Sequence, residues 1–132
     1  MRTTHDVFHI AVPTRDLDLA QSFYVTGLGC KLARRYDDRI TVDFFGDQLV
    51  CHLSDDWERD PQMYPRHFGV TFSERRDFDA LLLLVDTRKL EFFTEPSTRF
   101  QGLAEEHNYF VLRDPSNNLL EFKHYNDPRM MY

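Results

Sequence analysis

The chain contains the same pattern twice. The apolar run HIAV, opening at His9, returns as HFGV, opening at His67, 58 positions later, and each run leads into a helix-like stretch. The two halves also close alike, with His52 in LVCHL and Glu121 in LLEFK. A duplicated unit with one metal-binding side chain on its first strand and one on its last brings four ligands, His9, His52, His67 and Glu121, to a single site if the halves pack face to face.

Local signals fill in the repeat. Residues 7–12 are β-rich and stop at Pro13, and a helix follows with Asp16 as its N-cap, Leu19, Ala20 and Phe23 on its inner side and Gly27 at its end. Residues 31–35, 40–45 and 48–53 read as three short strands, with Asp37-Asp38 in one turn and Gly46-Asp47 in a tight hairpin. The second half restarts with a strand over 66–72. A helix opening at Ser73 then carries an apolar stripe of Phe78, Leu81, Leu82 and Val85, and strands follow over 90–94, 109–112 and 119–124. The expected fold is therefore α+β and built from two βαβββ modules. Residues 1–132 form a single domain, with a first module at 7–53, a connector at 54–65 and a second module at 66–125. Residues 95–106 show no period and read as a lid or wall of a site.

Composition narrows the partners. A chain of 132 residues is long enough to bury a core without disulfide staples. A net charge of −6 with a pI near 5.4 argues against nucleic acid, since phosphate binding needs clustered Lys and Arg, and Arg34-Arg35 and Arg75-Arg76 are isolated pairs. Cys30 and Cys51 make no CxxC motif, which fits free thiols in a reducing compartment. No charged-then-apolar leader opens the chain, and the longest apolar run, 80–85, is too short to span a bilayer. The expectation is a cytoplasmic protein with no membrane partner.

Strand alternation sorts the candidate site residues. Side chains two apart share a face, so His9 lies opposite Ile10 and Val12, and Glu121 lies opposite Leu120 and Phe122. Helices should cover the face that carries Phe8, Ile10, Val12, Phe68, Val70, Phe72, Leu120 and Phe122, leaving the ligand face to line a cavity. Glu121, set among apolar neighbours, needs a positive partner, because an unpaired carboxylate there costs several kcal/mol. That partner is Lys123, Arg113, another Arg or a divalent cation. Imidazoles and a carboxylate on neighbouring strands suit Fe, Mn, Ni, Co or Zn and leave positions open for a chelating substrate. His5, His107 and His124 are not expected among the ligands. Lys123, Trp57, Phe100 and Arg99 are expected to contact substrate, with Lys123 or Arg99 holding an anionic group. His52 suits an acid–base role as well as a ligand role.

The stretches HIAVPTRDLDLAQSFYVTGLGC, HFGV and FVLRDPSNNLLEFK together resemble the vicinal oxygen chelate superfamily, over roughly residues 7–125. That group includes glyoxalase I, extradiol dioxygenases, methylmalonyl-CoA epimerase, fosfomycin-resistance enzymes and bleomycin-binding proteins. The resemblance implies paired βαβββ modules forming a cupped open sheet around a metal site, a divalent metal cofactor, a small-molecule substrate and a homodimer. It places His9 and His67 at the first-strand ligand positions, Glu121 at the carboxylate of the final strand, and His52 at the last strand of the first module. The fourth place is a ligand, usually Glu or Gln, in the glyoxalase I and epimerase branches, whereas the dioxygenase branch uses two His and one Glu. The leading expectation is a glyoxalase I-like isomerase or lyase working through a metal-bound enediolate, with Glu121 or His52 as the base. The alternatives are an Fe(II) extradiol-type dioxygenase and a non-catalytic protein that sequesters an antibiotic or toxin.

Overall fold

Pro13 does not end the first strand. In a computed structural model that describes residues 1–132, β1 (His9–Thr14) runs through it, and the reason lies in the sheet. β1 is an edge strand, and an edge tolerates a proline that lacks a donor. α1 (Leu17–Gln21) follows, with the Asp16 carboxylate accepting from Leu19 N at 2.9 Å as its N-cap. The helix continues as a π-type turn, Ser22–Gly27. The left-handed residue that closes it is Gly29, at φ 77°, rather than the expected Gly27. β2 (Lys31–Arg35), β3 (Arg39–Phe44) and β4 (Asp47–Leu53) complete a sheet of order β1-β4-β3-β2, in which only the β1–β4 pairing is parallel. The β3–β4 hairpin turns on Phe45 and Gly46, at φ 54° and 93°, one residue earlier than expected. Paired positive φ values match the right-handed twist of the flanking strands.

Leu17, Ala20, Phe23 and Tyr24 from the helical segment are buried, as are Ile40, Val42, Leu49 and Cys51, which lie on one face of the sheet. Those strands and that helix form one compact unit, Met1–Asp60, which also contains Asp114–Asn118. Burial pushes the Cys30 thiol up to about 11 and raises that of Cys51 as well, so neither is a thiolate near neutral pH.

The second unit comprises Pro61–Arg113 and Leu119–Tyr132. It holds β5 (Phe68–Thr71), α2 (Arg75–Thr87), β6 (Phe92–Arg99), β7 (His107–Arg113) and β8 (Leu119–Tyr125), with sheet order β5-β8-β7-β6 and β5 parallel to β8. Phe78, Leu81 and Val85 of α2 are buried. The Phe78 ring lies 5.4 Å from Phe110, and Phe110 5.4 Å from Phe122, so the helix covers the face that includes Leu112, Leu120 and Phe122. The segment expected to be a loop from residue 95 is strand as far as Arg99, which leaves 100–106 as the loop. Polar composition and Pro96 hide the part of this strand beyond Thr94. It is an edge strand whose register slips twice, between Phe92 and Thr94 and between Thr94 and Ser97, where a proline is accommodated.

The turn DPSNN is the most densely hydrogen-bonded part of the first unit. Asp114 is buried, and its Oδ1 accepts from the main-chain N–H groups of Ser116 and Asn118, each at 2.8 Å. Its Oδ2 accepts from the Tyr24 hydroxyl at 2.7 Å and from Asn118 Nδ2 at 2.8 Å. Asn118 Nδ2 also reaches the Pro13 carbonyl at 2.9 Å, and Ser116 Oγ bonds Thr14 Oγ1 at 3.1 Å. Burial raises the Asp114 carboxyl against the lowering effect of these donors. No helix is long and apolar enough to cross a membrane. Asp114→Ala leaves the fully buried Tyr24 hydroxyl and two main-chain donors without their acceptor. Chemical denaturation is expected to show a loss of about 3 kcal/mol or more, with Asp114→Asn costing less.

Candidate metal centre

β5 and β8 lie side by side, with Gly69 opposite Glu121. On β8, Leu120 and Phe122 turn to α2, so Glu121 and Lys123 turn to the other face. Tyr109 and Val111 of β7 join them as the strand partners of Lys123 and Glu121. His67, just ahead of β5, meets Glu121 directly. Its Nε2 lies 3.2 Å from Glu121 Oε2, with 25% and 8% of the two side chains exposed.

The other ring nitrogen of His67 is engaged, since the Met63 carbonyl accepts from Nδ1 at 2.7 Å. A carbonyl only accepts, so the proton of a neutral ring sits on Nδ1 and Nε2 presents its lone pair to the carboxylate. Two acceptors at that distance require a cation, either a second ring proton or a metal ion. A hydrogen bond from the far ring nitrogen to a carbonyl is how a metal-binding histidine is held in tautomer and orientation. The residues present therefore fit a divalent cation of the kind that takes imidazole and carboxylate ligands. Lys123 Nζ, 3.8 Å from Glu121 Oε2, supplies further positive charge, whereas Arg113 is paired with Glu91.

Residues 61–67 build the wall of this centre. Met63, whose carbonyl holds His67, packs its side chain on the buried cluster of Tyr109, Val111 and Leu119. The next residue, Tyr64, sets its ring edge-on to His67 at 5.8 Å and accepts from Arg99 at 2.9 Å. The Arg99 guanidinium lies over the Tyr109 ring at 4.2 Å. In the sequence this stretch looks like plain connector, and neither Met63 nor Tyr64 carries a signal that would single it out. Gly69 does carry one, because a glycine inside a strand often marks close approach of another backbone. A Cβ at Gly69 would meet the Glu121 carbonyl oxygen at 1.7 Å, so only glycine lets β5 lie this near to β8.

The remaining expected residues lie elsewhere. His9 and His52 are exposed on the first unit, on the same face of neighbouring strands, but the structure does not bring them together. His9 pairs with Gln48 and His52 with Pro13, which places them four positions apart, roughly 13 Å along the strands. The repeat also needs correcting in register. Phe68 pairs with Leu120, which puts Glu121 two residues beyond the place opposite His67; the matching place relative to His9 is Val50, not His52. His52 occupies the counterpart of Lys123. No group of three or more His, Cys, Asp or Glu side chains is placed to hold a metal ion, so His67 and Glu121 are the two expected ligands that come together.

Trp57 belongs to the first unit, where the guanidiniums of Arg59 and Arg15 lie 3.8 and 5.6 Å from its ring centre. Phe100, at φ 52°, is exposed at the head of the 100–106 loop, with its ring 5.9 Å from His107. His107 and His124 direct their Nδ1 atoms to the carbonyls of Glu105 and Phe72.

The Glyoxalase/Bleomycin resistance protein/Dioxygenase superfamily matches the chain over residues 6–122. A crystal structure of a glyoxalase/bleomycin resistance protein/dioxygenase from Alicyclobacillus acidocaldarius is 65% identical, with a TM-score of 0.97 and full coverage of both chains. A genomically encoded fosfomycin resistance protein from Listeria monocytogenes has a TM-score of 0.71 at 16% identity, covering 99% of this chain and 100% of its own. Lactoylglutathione lyase from Agrobacterium tumefaciens has a TM-score of 0.68 at 14% identity, covering 90% and 92%. At those identities the last two likenesses concern the fold alone. No curated protein sequence matches significantly.

Gly69→Ala should force β5 away from β8 and disturb the His67–Glu121 pair. Equilibrium unfolding is expected to show a cost of about 1–3 kcal/mol, while Gly46→Ala, with open space around its Cβ position, should leave the His67 ring resonances in place.

Proposed function

The chain belongs to the glyoxalase/bleomycin resistance protein/dioxygenase superfamily, and from that premise we propose that it is a metal-dependent enzyme that chelates a small substrate through adjacent oxygens. The observation that carries this is the half-buried imidazole facing a buried carboxylate, with no proton of its own to offer while neutral. His67 and Glu121 would hold the ion, and the family pattern names His9 as the third ligand. A bound divalent ion would act as a Lewis acid, polarising the substrate oxygens and stabilising negative charge that develops on them.

The chain's own groups do the rest. The Met63 carbonyl keeps the proton of the neutral His67 ring on Nδ1, so that Nε2 is the nitrogen offered to the ion. Lys123 offsets the Glu121 charge from 3.8 Å away, and that carboxylate would hold the ion or accept a proton. His52, exposed on the first unit, is the second proton acceptor in this proposal. A homodimer in the cytoplasm remains part of the same proposal.

Glyoxalase I-like isomerase or lyase chemistry is the leading reading, with a ring-cleaving Fe(II) dioxygenase as the second. The latter draws support from Val50, which puts no ligand where a fourth is needed and leaves the two-histidine, one-carboxylate set. Elemental analysis of untagged protein tests the shared premise. Near-stoichiometric metal is expected in wild type and His52→Ala and should be lost in Glu121→Ala and His67→Ala. Wild-type protein that takes up no metal, even after reconstitution, would overturn the proposal. Iron with oxygen uptake on catechols would select ring cleavage; nickel, zinc, cobalt or manganese with turnover of a hemithioacetal would select isomerisation.

A further inference from the structure

Arg99 is a charged residue aimed at the metal-centre face with no carboxylate partner. As the strand partner of His107 on β7, it shares the face that carries Tyr109 and Val111. One N–H goes to the Tyr64 hydroxyl at 2.9 Å, and the guanidinium plane rests on Tyr109, a buried ring, at 4.2 Å. None of the ion pairs in the chain involves Arg99, a trait it shares with Arg15 and Arg59, so what distinguishes it is the pair of tyrosines that hold it. A surface arginine that only aided solubility would not need two tyrosines to hold it. This fork is pre-organised, which is what recognition of a planar or tetrahedral oxyanion requires.

The local charge points the same way. The protein carries a net charge of −6, yet this face sets two fixed cations, Arg99 and Lys123, around the Glu121 carboxylate. Lys123 is committed to Glu121, so Arg99 is the cation left to bind something else. Tyr109 stands one strand across and two residues along from Glu121, roughly 8 Å away.

We propose that Arg99, held by Tyr64 and Tyr109, binds an oxyanionic group of the substrate, which makes the substrate class a small molecule with two adjacent oxygens for the ion and a carboxylate or phosphonate set apart from them. This rests on the metal-dependent function proposed above, but anion binding by Arg99 is measurable without it. The spacing calls for a short linker of a few carbons between the chelating oxygens and the anion.

The test uses matched chelators on cobalt-loaded protein, acetohydroxamate and glutaric monohydroxamate, which share the chelating group and differ in the remote carboxylate. Metal-free protein is titrated in parallel with glutarate and with methylphosphonate, to separate carboxylate from phosphonate preference. Calorimetry is expected to show wild type binding the carboxylate-bearing chelator about tenfold more tightly than acetohydroxamate, as a charge-assisted pair of hydrogen bonds would give. Arg99→Gln should erase that preference and leave acetohydroxamate affinity unchanged, Arg99→Lys should retain part of it, and metal-free Arg99→Gln should lose the anion binding of wild type. A preference that survives Arg99→Gln overturns the proposal. So does equal weakening of both chelators, which would make Arg99 a support for His67 through Tyr64. If neither hydroxamate binds wild type, the metal-dependent function fails, and the metal-free titrations alone decide the role of Arg99: binding lost in Arg99→Gln upholds it, and binding absent or unchanged overturns it.

Discussion

A carboxylate buried on an apolar strand has to be answered by positive charge, and much of the second unit is arranged around that demand. Glu121 sits between Leu120 and Phe122, which are fully buried under α2, and its own side chain is 8% exposed. Unpaired, such a group costs several kcal/mol. Lys123 answers it from two residues along the same strand face, and His67, just ahead of the neighbouring strand β5, answers it only if it carries a proton or shares an ion. Gly69 is part of the same solution, since the close approach of β5 that brings His67 within reach leaves no room for a Cβ. The Met63 carbonyl then decides which ring nitrogen faces the acid.

Residues 61–66, ahead of His67, show how a short connection serves a candidate site without supplying a ligand. Met63 covers Tyr109, Val111 and Leu119, its carbonyl orients His67, and Tyr64 joins His67 to Arg99. β6 contributes from the other side of the sheet by running on to Arg99 despite Pro96 and two slips of register. The result is a face whose local charge is opposite in sign to that of the whole chain. A local field of that kind is attractive to anions whatever the net charge of the chain.

The two sheets have the same strand order and the same mixture of one parallel and two antiparallel pairings, yet they differ in chemistry at equivalent places. Glu121 in one corresponds to Val50 in the other, and Lys123 to His52. A duplicated backbone conserves hydrogen-bond register, while side chains on the ligand face diverge at little cost to the sheet. The chemistry at these positions is therefore not set by the fold. That is why superfamily membership is compatible with both isomerase and dioxygenase chemistry.

Apolar periodicity and turn residues were enough to show two βαβββ halves, the N-cap at Asp16, the buried stripe of α2 and the side of β8 to which Glu121 turns, because these depend on neighbours within a few positions in the chain. The pairing of Glu121 with a positive partner also followed from the sequence, since burial of a charge is unfavourable whatever the fold. Register was not legible in this way. Whether Val50 or His52 matches Glu121 depends on hydrogen bonds between strands that begin some forty residues apart, and a shift of two keeps every side chain on the same face. Pro96 and a polar run concealed the part of β6 beyond Thr94, because an edge strand tolerates both. Tyr64 and Met63 gained their roles from long-range packing, which leaves no local pattern in the sequence. The sequence by itself thus determined the architecture and the need for a cation at Glu121; the tertiary structure alone decided which imidazole faces that acid and how Arg99 is held, because those depend on distances between segments that the chain order does not encode.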